Sequence, residues 1–111
     1  NVGDSRGYRL RDHNITRLSV DDSTKDVKSR MITQCLGAGT KMPVPHYSKE
    51  EYRIGDIFIL LSDGITDSLS DDMILHAVTA DHQDSAISLC KQAIKKGSTD
   101  DVSAVVVACS N

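Results

Sequence analysis

Three short acidic segments stand where apolar runs begin or end: Gly3-Asp4 near the start, Ser62-Asp63-Gly64 directly after Leu61, and Thr99-Asp100-Asp101 just before Val102. A carboxylate at the tip of a buried strand is held by rigid backbone while its oxygens still reach water. A hard divalent cation asks that combination of its ligands. Asp67 lies four residues after Asp63 and reaches the same ion if the chain turns there. Asp-Gly is also a common turn pair, and aspartate is common punctuation before a strand, so any one of these residues alone is better explained by structure. Together they ask for more, because carboxylates about 4 Å apart repel by roughly 4 kcal/mol per pair at an effective dielectric of 20 unless something neutralises them. No Lys or Arg occurs in residues 63–72. A metal ion is therefore the economical neutraliser, and an ion-pair explanation needs partners from elsewhere in the chain.

Other chemistry finds little support. The four histidines, His13, His46, His76 and His82, lack the paired spacing of a zinc site and have no neighbouring cysteine pair. There is no nucleophile elbow, Walker loop or dinucleotide fingerprint. Cys35, Cys90 and Cys109 are odd in number and widely spaced among apolar neighbours, which reads as reduced, buried thiols in a cytoplasmic protein.

The elements that must position the aspartates follow from periodicity. Alternation over 7–11 and 15–20, with turn residues at 12–14, predicts a hairpin with a three-residue loop. Residues 21–30 read as a charged surface connector with a short helix capped by Asp22 or Ser23. Five unbroken apolar residues at 57–61 predict a strand buried on both faces. Ser70 is the expected cap of a short helix that buries Met73, Ile74, Ala77 and Val78. From Asp84 to Gly97 a stripe of Ile87, Cys90 and Ile94, flanked by Ala86, Leu89 and Ala93, predicts an amphipathic helix, and 102–109 predicts a closing strand.

Composition bounds the partners. The 111 residues suit one domain, and a chain of this size buries about 60 to 70% of its extended surface on folding. A net charge of −3, a pI near 5.7, one Phe and no Trp argue against a nucleic-acid groove or a base-stacking platform. No apolar run approaches the roughly 18 residues of a membrane span, so neither nucleic acid nor membrane is an expected partner. The sequon at Asn14-Ile15-Thr16 opens a strand-like segment and reads as chance. The chain begins on Asn1 with no capping or flexible lead-in, which suggests a missing upstream part.

Three ordered segments closely resemble motifs of the metal-dependent PP2C-type protein serine/threonine phosphatases. They are Asn1-Val2-Gly3-Asp4-Ser5-Arg6-Gly7-Tyr8; Gly55-Asp56 followed by Leu60-Leu61-Ser62-Asp63-Gly64-Ile65-Thr66-Asp67-Ser68-Leu69-Ser70-Asp71; and Gly97-Ser98-Thr99-Asp100-Asp101-Val102-Ser103. Thr16-Arg17-Leu18-Ser19 and Ile32-Thr33-Gln34-Cys35-Leu36-Gly37 look like intermediate family segments, so the resemblance runs the length of the chain. It implies an α+β fold, a β-sandwich of antiparallel sheets flanked by helices, with the C-terminal half present here. It also implies two catalytic Mn²⁺ or Mg²⁺ ions, a third weaker ion, and a phosphoprotein substrate. By resemblance, Asp63 and Asp100 are ligands of the catalytic pair, while Asp4 and Asp67, with Asp63 shared, are ligands of the third ion.

The departures matter as much. The family's N-terminal half, with its bridging aspartate and its phosphate-holding arginine, has no counterpart in this sequence, so the 111-residue chain alone is expected to be inactive and to need that half as a partner. Asp101 stands where the family usually has Asn, and residues 22–30 are shorter than the flap of bacterial members. A non-catalytic regulatory or binding module of the same fold is the rival reading.

Overall fold

The computed structural model describes residues 1–24, 29–39 and 41–111. Arg6–Arg11 (β1) and Asn14–Arg17 (β2) form the expected hairpin, but its loop is two residues rather than three. Asp12 and His13 take φ of 50° and 60°, and Arg11 pairs directly with Asn14. Two consecutive left-handed residues give the turn a twist that matches the strands, which lets the shorter loop close.

Ile57–Leu61 (β3) lies between β1 and Ala104–Ala108 (β4), and the antiparallel sheet runs β2-β1-β3-β4. Asp63–Thr66 (α1), Asp71–Ala77 (α2) and His82–Lys95 (α3) connect β3 to β4. Tyr8, Leu10, Ile59 and Leu61 from the sheet and Ile65, Leu69, Ile74, Ala77, Leu89 and Ala93 from the helical segment make one core. This is an α+β fold with helices on one face of the sheet.

The opposite face is open. The run at 57–61 is not buried on both sides: Ile59 and Leu61 point into the core, but Leu60 is 58% exposed. Leu60 pairs with Val105 and Phe58 with Val107, and those valines are 52% and 51% exposed, so the apolar stripe continues across two strands. An unbroken apolar run reports burial on both faces only when something covers both.

Ser70 caps α2 as expected, its Oγ accepting from Met73 N at 3.4 Å. Helix α3 is turned relative to its predicted stripe: Ser85, Leu89 and Ala93 are buried, while Ile87 and Ile94 are exposed. Small residues let the helix approach the sheet, and Ser85 is tolerated there because its Oγ donates to Asp81 O at 2.7 Å and accepts from Thr79 N at 2.8 Å. The three cysteines are half-buried thiols rather than fully buried ones.

The segment 21–30 is not merely a surface connector. Residues 25–28 of its expected helix lie outside the described residues. Asp22, however, is buried, and it accepts from Gly3 N at 2.9 Å and Gln34 Nε2 at 2.9 Å while pairing with His46 Nε2 at 2.7 Å. The Gly3 amide, then His46 and Gln34, hold its carboxyl down at about 2. At the far end of the sheet the two-pronged contact of Arg11 holds buried Asp56 well below the usual carboxylate range, with the Arg53 amide assisting. Because both carboxyls titrate below their unfolded value, the stability they contribute is complete above about pH 4 and is lost as pH falls toward about 2. Urea midpoints are expected to drop steeply across that window and to drop less in Asp22→Asn. An unchanged acid slope in that variant contradicts the assignment.

Candidate functional site

Asp63 begins α1 immediately after β3, and Asp100 sits in the loop that leads into β4. β3 and β4 are adjacent, with Leu61 opposite Ala104, so the two loops emerge side by side from the sheet. Serine 62 stitches them together. Ser62 N donates to Ser103 O at 3.0 Å, Ser103 N donates to Ser62 Oγ at 3.0 Å, and Ser62 Oγ donates to Asp101 O at 3.2 Å. Ser98 Oγ adds a bond to Gly64 O at 2.8 Å.

Gly64 permits this closeness. A Cβ built there lies 2.4 Å from Asp101 O and 3.4 Å from Asp100 Cβ, so the backbone of one loop rests where a side chain would begin. The sequence marks Gly64 as half of a turn pair; the structure gives it a second duty, close approach.

Each carboxylate of this pair spends one oxygen on local backbone. Asp63 Oδ1 accepts from Gly64 N at 2.9 Å, and Asp100 Oδ1 accepts from Asp101 N at 2.7 Å. The remaining oxygen of each has no hydrogen-bond partner among the described residues. Asp63 is half-buried and Asp100 is exposed. Two hard oxygen donors beside water suit Mg²⁺ or Mn²⁺, which keep several waters and take one or two carboxylates. Among the described residues, no three His, Cys, Asp or Glu side chains converge closely enough to hold an ion unaided. Asp63 and Asp100 therefore fit as part of a coordination shell rather than as a complete one. Asp101, their neighbour, is exposed and contributes its main chain to the stitching.

Asp4 and Asp67 are placed differently. Asp4 is buried in the turn before β1, and burial raises its carboxyl above the ordinary value, with the charge of nearby Asp63 adding to the rise and Arg30 opposing it. Asp67 is exposed at the end of α1 and forms an ion pair with Arg30 Nη1. The same guanidinium reaches Asp21 Oδ2 at 2.8 Å and lies 3.9 Å from Asp4 Oδ2, while its Nε donates to Ser23 Oγ at 3.1 Å. Arg6 and Arg17 also pair with Asp21. Burial opposes ionisation of Asp21, yet Arg6 and then Arg17 bring its carboxyl below the ordinary value. The ion-pair partner that 63–72 lacks in sequence thus arrives from 37 residues away. A divalent ion seated about 4 Å from a guanidinium is repelled by roughly 8 kcal/mol at an effective dielectric of 20, twice the unit-charge figure. Arg30, standing between Asp4 and Asp67, thus competes with a third ion for these carboxylates.

No model of a known protein family matches the chain. Serine/threonine protein phosphatase PstP of Mycobacterium tuberculosis is 31% identical over 123 residues, an alignment covering 95% of this chain and 23% of PstP. The solved catalytic domain of PstP, in complex with two manganese ions, superposes with a TM-score of 0.85 at 31% identity, over 99% of this chain and 52% of that domain. The PPM Ser-Thr phosphatase MsPP of Mycobacterium smegmatis superposes with a TM-score of 0.83 at 24% identity, over 98% of this chain and 54% of MsPP, and shows likeness of fold. The chain therefore spans about a quarter of the curated relative and about half of the solved structures it matches.

Proposed function

We infer that this chain belongs to the PP2C-type, or PPM, family of protein serine/threonine phosphatases, and that residues 1–111 are the C-terminal part of a single catalytic domain. In its complete form that domain hydrolyses phosphoserine and phosphothreonine in proteins. The observation that carries this reading is the pairing of Asp63 with Asp100 on two strand-end loops stitched together through Ser62 and packed at Gly64. The open apolar face at Leu60, Val105 and Val107 supports the incompleteness, since a second sheet from the remainder of the domain covers such a face in a sandwich.

In this reading Asp63 and Asp100 are ligands for two Mn²⁺ or Mg²⁺ ions. When bound, such ions supply a water deprotonated near neutral pH and stabilise charge on the phosphoryl oxygens. The chain's own contribution is placement. The backbone bonds to Asp63 and Asp100 fix one oxygen of each, and the stitched loops hold the two carboxylates at one end of the sheet. The exposure of Asp100 leaves the approach open to a phosphorylated side chain. None of the 111 residues is assigned the bridging aspartate or the phosphate-gripping arginine, which belong to the missing half. A cytoplasmic setting accords with three unpaired thiols. Among the described residues no helix is long and apolar enough to cross a membrane.

The intact protein is expected to dephosphorylate a phosphothreonine peptide with millimolar Mn²⁺ and to lose that turnover on chelation. A folded intact protein with no turnover favours the non-catalytic regulatory or binding module instead.

A further inference from the structure

We propose that Arg30 is a built-in cation that takes the place of a third divalent ion at the acidic end of the fold, so that Asp4 and Asp67 serve an arginine rather than a metal. The inference rests on the phosphatase reading for where a third ion is expected, and on this chain's own side chains for why it is excluded. Arg30 gathers three carboxylates that come from separate parts of the chain. It pairs with Asp67 through Nη1 and with Asp21 through Nη2 at 2.8 Å, and Nη2 stands 3.9 Å from Asp4.

Asp4, Asp21 and Asp67 face Arg6, Arg17 and Arg30, and every one of these six groups has an opposite charge within ion-pair distance, so their own charges sum to zero without an ion. Asp63, near Asp4, adds one negative charge that falls to the catalytic ions of the proposed site. A guanidinium is always protonated, and its planar fork of donors matches carboxylates spread around it, so its charge does not depend on pH or on metal supply. Ser23 Oγ accepts from its Nε at 3.1 Å and helps fix the plane of the group. The arginine also ties Asp21 and Ser23 to Asp67 after α1, a link that a freely exchanging ion makes less permanently.

The test counts bound ions. Mn²⁺ binding to the intact protein is measured by equilibrium dialysis and calorimetry for the unmodified chain, Arg30→Ala, Arg30→Lys and Asp67→Asn. Arg30→Ala is expected to bind one more Mn²⁺ per chain than the unmodified protein, in the millimolar range. Arg30→Lys is expected to keep the unmodified count, since it restores the charge. Asp67→Asn with Arg30 intact is expected to leave the count unchanged. If Arg30→Ala does not fold, the Asp67→Asn arm still decides, because loss of one ion there means that Asp67 already holds a metal. Equal counts for Arg30→Ala and the unmodified protein overturn the proposal. Asp100→Asn reports separately on the catalytic pair: if it leaves the count unchanged, the pair assignment fails, while the difference between Arg30→Ala and the unmodified chain still reads the role of Arg30.

Discussion

Purified alone, the 111-residue chain is expected to release no phosphate above background from p-nitrophenyl phosphate or a phosphothreonine peptide, even with millimolar Mn²⁺. Phosphoryl transfer in this mechanism needs two ions at a fixed separation, a water between them and a cation on the substrate oxygens. In the proposed reading Asp63 and Asp100 furnish one side of that arrangement, and no group of three ligating side chains closes the shell among the described residues. Ions held by so few ligands stay largely hydrated, and positioning, worth about 7 to 11 kcal/mol of a barrier, is mostly lost. Stability suffers as well. Leu60, Val105 and Val107 are more than half exposed on the uncovered face, and burying what remains of each is worth about 1 kcal/mol. Supplying the rest of the domain, covalently or in trans, is expected to raise the thermal midpoint and restore turnover together. Robust Mn²⁺-dependent turnover by the lone chain, abolished by Asp63→Asn, contradicts the incompleteness.

The second large effect is expected at Gly64. In Gly64→Ala the new methyl would sit 2.4 Å from Asp101 O and 3.1 Å from Asp101 C, and these are backbone atoms that cannot rotate away. Asp101 O is moreover held by Ser62 Oγ at 3.2 Å. The loops must part, which costs about 2 to 3 kcal/mol by the range seen for overpacked sites. Because Asp100 rides on the displaced loop, a shift of about 1 Å is expected to lower the proposed phosphatase turnover of the intact protein about a hundredfold. Denaturant midpoints and steady-state kinetics on the same preparation check both halves. An unchanged midpoint with unchanged activity removes Gly64 from the site.

Much of this architecture was legible from residue order. Ser70 as a cap, the core positions Ile74 and Ala77, and the strand at 57–61 follow from local rules that the tertiary structure does not override. Strand-end placement of Asp63 and Asp100 was equally readable, because it depends on where two apolar runs stop. What escaped was set by contacts distant in sequence. Nothing near Asp67 announces Arg30, and nothing near Asp22 announces His46; both pairings join residues far apart in sequence. Ile87 and Ile94 misled because the buried face of α3 is centred on Ser85, Leu89 and Ala93, beside the stripe that the periodicity picked out. The apolar run of β3 overstated burial because one of its faces has no cover in this chain.

The central claim, that Asp63 holds a catalytic divalent ion, is tested most directly by calorimetric titration of Mn²⁺ into the intact protein and its Asp63→Asn variant, with Asp84→Asn, in the exposed first turn of α3, as the control. The account predicts that Asp63→Asn weakens the tightest Mn²⁺ event by at least about tenfold, or about 1.4 kcal/mol, while the thermal midpoint in the absence of metal changes little and the control binds as the unmodified protein does. Mn²⁺ binding by Asp63→Asn that is as tight as in the unmodified protein contradicts it.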